Sequence, residues 1–325
     1  MKAVVLEKSC KPEEMEIKDV PIPEVKSGWV LIKVKAFGLN HSEILLRQFE
    51  IENDYIQKPV IPGIECVGVV ADKSDTRFEN GDKVMALMGG MGRSFDGSYA
   101  EYALLPEHHV FKVETDLSFA DLAAIPETFF TAYGSIFDCM QTKINETVLI
   151  KAGTSALGLA SIQLAKAVGA KVVTTVTNNK NIDLLTSIGA NKVYIDKGDN
   201  LYDEVMADFP EGINEILELV GPKTVRESLK MCTYHGIVCS TGVLGGVFGL
   251  DDFDPIKEIP NGVYLTGFYS NYPTQEKIDE IMDFINIHHI KPYIGKVYDF
   301  KDISEAHKDM EEHKNTGKSV VVVER

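Results

Sequence analysis

Residues 147–176 read TVLIKAGTSALGLASIQLAKAVGAKVVTTV. An apolar run, TVLI, passes through small residues into LGLASIQLAKAVG, whose apolar positions recur at helical spacing. A second run, KVVTTV, is rich in β-branched residues. Strand, tight turn, helix and strand in this order describe a βαβ unit with a parallel sheet.

The turn itself is Gly153-Thr154-Ser155-Ala156-Leu157-Gly158. It matches the dinucleotide-binding fingerprint, with Ser155 in place of the middle glycine. Small residues let backbone approach a pyrophosphate, and the first amides of a helix favour an anion there. Gly158 lets helix and strand pack closely, and the Ser155 hydroxyl is a candidate donor to phosphate. These six residues are therefore expected to bind a dinucleotide.

The second strand ends Val176-Thr177-Asn178-Asn179-Lys180. An NAD site usually carries an acid at this point, to accept from the ribose hydroxyls. None is present. Thr177 and Asn178 can hydrogen-bond a 2′-phosphate, and Lys180 adds positive charge. NADPH is the expected cofactor.

Outward from this segment the pattern diverges on the two sides. Downstream, KVYI, EILELV, IVCSTG and VYLTGF alternate with helical stretches, as in a parallel sheet covered by helices. Upstream, KAVVLE, WVLIKVKAFGL, CVGVVA, GDKVMALM and SYAEYALL are short strands punctuated by Gly and Pro, a β-rich pattern. FADLAAIPETFFTAYGSIF, from residue 119, reads as helix interrupted at Pro126. A helix, QEKIDEIMDFINIHHI, and the strand SVVVV follow the last parallel strand.

Composition narrows the function. A net charge of -16 opposes phosphate backbones, so nucleic acid is not an expected partner. No apolar run reaches the length of a membrane span, and the first residues lack a signal-peptide core, so a cytoplasmic location is expected. Cys10, Cys66, Cys139, Cys232 and Cys239 are odd in number and show no CxxC spacing, which disfavours disulfides and a zinc cluster.

KAVVLE, the GLN at 38–40, PGIECVGVV at 62–70, GDKVMAL at 81–87, GSYAEYALLP, AAIPETFFTAYGSI, LGLASIQLAKAVGAKVV and GKSVVVV occur in one order along nearly the whole chain. In that order they resemble the medium-chain dehydrogenase/reductase superfamily. The resemblance implies an α/β fold: a β-rich, GroES-like catalytic domain over 1–122 and 269–325, and a doubly wound, parallel-sheet Rossmann domain over 123–268. Zinc-dependent members carry a cysteine where this chain has Asn40 and a histidine where it has Ile64. They often hold a four-cysteine loop, whereas residues 82–104 contain no cysteine. No metal is therefore expected. Asn at position 40 resembles the quinone oxidoreductase branch, with Arg47 at a frequent Arg, Glu43 where Asp is common and Leu45 where Tyr is frequent.

That branch implies an NADPH-dependent reductase passing hydride to a quinone or similar conjugated carbonyl without zinc. The resemblance puts Asn40 and Thr131 at the nicotinamide or the substrate carbonyl, as the catalytic pair. It sets Gly242, Val243 and Leu244 beside the nicotinamide ribose and Phe268 over the cofactor. It also implies a homodimer, with VYLTGF as an edge strand that pairs across a two-fold axis. Two alternatives stay open: an enone or alkenal double-bond reductase on the same scaffold, and a non-catalytic NADPH-binding protein, crystallin-like or RNA-binding.

Overall fold

Apolar residues dominate Trp29–Gly38, and this segment is a central strand of a seven-stranded sheet. The computed structural model describes residues 1–198 and 200–324. It divides into two units, Met1–Phe130 with Ser270–Arg325, and Thr131–Tyr269.

Numbered in chain order, the first unit contains β1 (Lys2–Val4), β2 (Ile17–Asp19), β3 (Trp29–Gly38), β4 (Glu65–Asp72), β5 (Lys83–Leu87), β6 (Tyr102–Pro106) and β7 (Val110–Lys112). The second contains β8 (Thr147–Ile150), β9 (Lys171–Val176), β10 (Lys192–Ile195), β11 (Ile213–Glu218), β12 (Cys232–Ser240) and β13 (Tyr264–Gly267). β14 (Ile294–Asp299) and β15 (Lys318–Val322) return to the first unit.

In the first unit the order is β14-β15-β3-β4-β5-β7, with β6 also on β3. The pairings are antiparallel except β14 with β15. Ile32, Val34, Phe37, Val84, Leu105 and Val321 share its core. The Phe37 and Tyr99 rings stack there with centroids 4.7 Å apart. β15 runs beside β3, pairing Val320 with Gly38. This pairing carries Lys318 to the end of β3, next to α1 (His41–Gln48).

Every strand pair of the second unit is parallel, in the order β10-β9-β8-β11-β12-β13. The direction of winding reverses between β8 and β11. In open α/β sheets ligands bind beyond the carboxyl ends of strands at such a reversal. Leu149, Val173, Ile216, Leu229 and Val238 form the core on one side. β13 is an edge strand.

The stretch read as one interrupted helix is three segments: α2 (Phe119–Leu122), α3 (Pro126–Tyr133) and a π-helical run, Gly134–Cys139. Pro126 starts α3 instead of breaking it, since the missing N–H costs nothing in a first turn. Gly134 sits where the ring of Phe268 would be 2.0 Å from a Cβ. After α3 the next helix that bears on the site is α4 (Ala156–Ala167). Among the described residues no helix is long and apolar enough to cross a membrane.

Candidate active site

The turn between β8 and α4 is built on steric exclusion. A Cβ on Gly153 would stand 2.1 Å from Thr174 Oγ1, and one on Gly158 would stand 2.5 Å from the Ala152 carbonyl oxygen. Only glycine fits at either place without moving backbone or β9. Ser155 is the N-cap of α4: its Oγ accepts from Gly158 N at 3.0 Å and donates to Ala152 O at 2.9 Å. The hydroxyl is thus engaged within the turn instead of standing free for a phosphate. The N–H groups of Ala156 and Leu157 have no protein acceptor among the described residues. A first turn with free amides and no room for side chains fits a dinucleotide pyrophosphate.

At the end of β9, Asn178 Oδ1 accepts from Lys180 N at 3.0 Å, which shapes a short turn. Thr177 and Lys180 are exposed, and the Lys180 ammonium has no carboxylate partner among the described residues. Thr177, Asn178 and Lys180 are thereby drawn together around one turn.

The turns after β8, β11 and β12 are tied to one another. Glu218, fully buried at the end of β11, accepts from Val220 N and Gly221 N, both at 2.9 Å, and from Ser228 Oγ at 2.6 Å. Lys151, at the end of β8, lies 3.6 Å from Glu218 and 3.2 Å from Glu227. After β12, Gly242 N donates to Glu218 O at 3.2 Å and Leu244 N to Leu219 O at 3.1 Å. A Cβ on Gly242 would meet Leu219 O at 2.3 Å. The loop Gly242-Val243-Leu244 is held against the sheet reversal.

Thr131 is buried in α3, and its carbonyl accepts from Ser135 Oγ at 2.8 Å. Ser135 Oγ in turn lies 3.1 Å from Thr241 Oγ1. This chain of contacts joins Thr131 to the residue before Gly242, while Phe268 covers Gly134. Thr131, Gly242 and Phe268 are brought into one region of the second unit. Asn40 belongs to the first unit.

Asn40, the N-cap of α1, is half-buried in a cluster of charged groups. Lys318 Nζ donates to Asn40 Oδ1 at 2.7 Å, Glu65 Oε1 at 2.6 Å and Thr128 Oγ1 at 2.9 Å. Asn40 Nδ2 donates to the same Glu65 oxygen at 2.8 Å, and Glu65 Oε2 accepts from Glu127 N at 2.7 Å. Glu43 reaches back to accept from Asn40 N at 2.8 Å and from Ile64 N at 3.0 Å. Glu65 and Lys318 are 0% and 2% exposed, a buried ion pair whose remaining positions are all hydrogen-bonded. Gly38 makes room for it: a Cβ there would lie 2.3 Å from Lys318 Cε and 2.4 Å from Glu65 Oε1. Burial pushes the Glu43 carboxyl up to about 7, against the lowering effect of the Ile64 amide, with the Glu65 charge adding to the rise.

Sequence reasoning singled out Asn40 but not Lys318, Glu65 or Thr128. Their signal is present: a lysine opening an apolar strand (Lys318-Ser-Val-Val-Val-Val) and a glutamate before another (Glu65-Cys-Val-Gly-Val-Val). A charge inside a buried run requires a partner.

The cluster does not fit a zinc ion. The resemblance puts Asn40 and Ile64 at the zinc-ligand positions, and of the two carboxylates nearby Glu65 is neutralised by an ammonium and Glu43 is taken up by the backbone N–H groups of Asn40 and Ile64. Among the described residues no three His, Cys, Asp or Glu side chains converge as a metal site.

Residues 26–115 match the family model of the alcohol dehydrogenase GroES-like domain, and residues 156–286 that of the zinc-binding dehydrogenases. Human quinone oxidoreductase is 29% identical over 321 residues, covering 95% of this chain and 94% of that protein. Among solved structures, an NAD-dependent alcohol dehydrogenase superposes with a TM-score of 0.88 at 26% identity, with all of both chains covered. A mycobacterial protein, Rv1454c, solved with NADPH, superposes at 0.87 and 26% identity, covering 99% of this chain and 100% of that one.

Proposed function

Because the chain belongs to the medium-chain dehydrogenase/reductase superfamily, in its quinone oxidoreductase branch, we propose that it is a zinc-independent, NADPH-dependent reductase of quinones or similar conjugated carbonyls. The observation that carries this reading is the Lys318–Asn40–Glu65 cluster, built on Asn40, which stands where the zinc-dependent members carry a cysteine ligand. An alcohol–ketone interconversion draws on a Lewis acid to polarise the oxygen. A quinone or an enone is electrophilic at carbon through conjugation, and positioning alone serves it.

Each part of the site has a task in this reading. The amides of Ala156 and Leu157 bind the pyrophosphate, with Gly153, Thr154, Ser155 and Gly158 allowing the approach. Thr177, Asn178 and Lys180 hold a 2′-phosphate, and the charge of Lys180 selects for it. Gly242, Val243 and Leu244 border the nicotinamide ribose, Phe268 covers the cofactor, and Thr131 and Asn40 orient the reacting groups. The bound nicotinamide supplies the hydride from its C4. The chain's own residues bind and orient.

The test is the initial rate of NADPH and NADH oxidation with a small benzoquinone and with a short enone, with and without a chelator. NADPH-selective turnover that survives chelation is the expected result. Turnover lost on chelation would sink the zinc-independent reading. Conversion of the enone alone would select the double-bond reductase, which shares every cofactor residue. A homodimer formed through β13 belongs to the same reading: the strand is a free edge, and its Tyr264 is 54% exposed.

A further inference from the structure

An ammonium has three N–H donors. All three of Lys318 are placed, on Asn40 Oδ1, Glu65 Oε1 and Thr128 Oγ1, at 2.6 to 2.9 Å. The Asn40 carboxamide is consequently held between opposite charges. Its oxygen faces the ammonium. Its nitrogen faces Glu65 Oε1 at 2.8 Å and, farther off, Glu43 Oε1 at 3.5 Å. Rotating the carboxamide by half a turn would set its NH2 against the ammonium and its oxygen against carboxylates. Both contacts would become repulsive, in a place where burial leaves little screening.

We infer that Lys318 is a positioning residue: it locks Asn40 with both amide protons turned inward, so that Asn40 meets a bound ligand with an oxygen lone pair and not with an N–H. The inference rests on the proposed function for its consequence, since it describes how Asn40 contributes to that site. It also assigns a direction to the contact. Asn40 accepts from a donor such as an amide of the cofactor, and does not donate to the carbonyl of the substrate. The carbonyl therefore receives no polarisation from this residue, in keeping with a substrate activated by its own conjugation.

Glu65 separates this role from simple charge compensation. Replacing Lys318 by Met alone leaves a buried carboxylate without its cation, and loss of stability is the expected result. The double variant Lys318→Met/Glu65→Gln removes both charges and leaves no unpaired ion. If Lys318 only neutralises Glu65, the double variant behaves as wild type. If Lys318 orients Asn40, it departs both from wild type and from Glu65→Gln alone, which keeps the ammonium on Asn40 Oδ1.

The experiment uses the full chain with isotope-labelled asparagine, following the Asn40 side-chain amide by NMR and identifying it by its loss in Asn40→Ser. In wild type the two Nδ2 protons are expected as one resolved pair that exchanges slowly with water. In the double variant exchange is expected to rise about ten-fold or more, and kcat to fall about ten-fold while KM for NADPH stays within about two-fold, the equivalent of losing one charge-assisted hydrogen bond. Wild-type exchange and kcat in the double variant would overturn the inference, as would a rapidly exchanging amide in the wild type. The amide is read without cofactor or substrate. A locked amide in a protein that reduces neither quinone nor enone would therefore count against the proposed function and leave the positioning role standing.

Discussion

Ser155 Oγ accepts the Gly158 amide proton at 3.0 Å, and this one contact sets how the turn between β8 and α4 tolerates its missing glycine. The hydroxyl caps α4, so its removal is a matter of helix stability first. Ser155→Ala is expected to cost about 1 kcal/mol of unfolding free energy. KM for the cofactor is expected to change little, because the hydroxyl is turned into the turn. Chemical denaturation beside steady-state kinetics checks both; a large rise in KM with unchanged stability would return the hydroxyl to the phosphate.

In the proposed reading Lys180 carries the choice between the two nicotinamide cofactors. Lys180→Glu replaces an attractive charge by a repulsive one at the 2′-phosphate. KM for NADPH is expected to rise by about ten- to one-hundred-fold, the range of a charge-assisted hydrogen bond. NADH, which lacks that phosphate, is expected to respond much less. Equal responses from the two cofactors would remove Lys180 from the site.

Glu43 gives the first unit a signature in pH. Its folded carboxyl is raised to about 7 by burial, with Glu65 adding to the rise and Lys318 and Arg93 opposing it. A carboxyl raised on folding binds its proton more tightly in the native state. Its contribution to stability is full below about pH 4.5 and is lost as pH climbs toward 7. His307, buried beside Arg47, acts in the opposite sense: burial holds it down to about 3, so stability is lost as pH falls from 6.5 toward that value. Thermal unfolding of wild type and Glu43→Gln between pH 5 and 8 isolates the first effect. The wild type is expected to lose ground to the variant as pH rises.

Gly38 is the place where space and charge meet. A methyl group there would displace either Lys318 or Glu65 from contact. Gly38→Ala is expected to lose about 3–5 kcal/mol, the range for breaking a buried ion pair. Urea unfolding measures the loss directly. A change under about 1 kcal/mol would show that the pair shifts without penalty.

Much of this fold was legible because its periodicity is local. KVVTTV, KVYI, EILELV, IVCSTG and VYLTGF are each strands of one parallel sheet, and the small-residue turn at 153–158 lies where its spacing puts it. The π-helical run at Gly134–Cys139 was not legible, since it reads like the helix it continues. What distinguishes it is the packing of Gly134 under Phe268, a contact between residues far apart in sequence. The same holds for the Asn40 cluster. Asn40, Glu65, Thr128 and Lys318 come from four separate segments, and no local pattern joins them. Ser155 shows the finer limit: its residue type permits both a cap and a phosphate donor, and only the direction of its Oγ separates the two.

The first unit is interrupted by the whole of the second, and Lys318 arrives with β15. A ribosome releases Glu65 long before it releases the cation that pairs with it. During synthesis the second unit, being continuous, has all its strands available first, while β3 and β4 wait with an uncompensated carboxylate between them. Completion of the ion pair is therefore a late event in the life of each molecule, and chains cut short before β15 carry a built-in mark of their incompleteness.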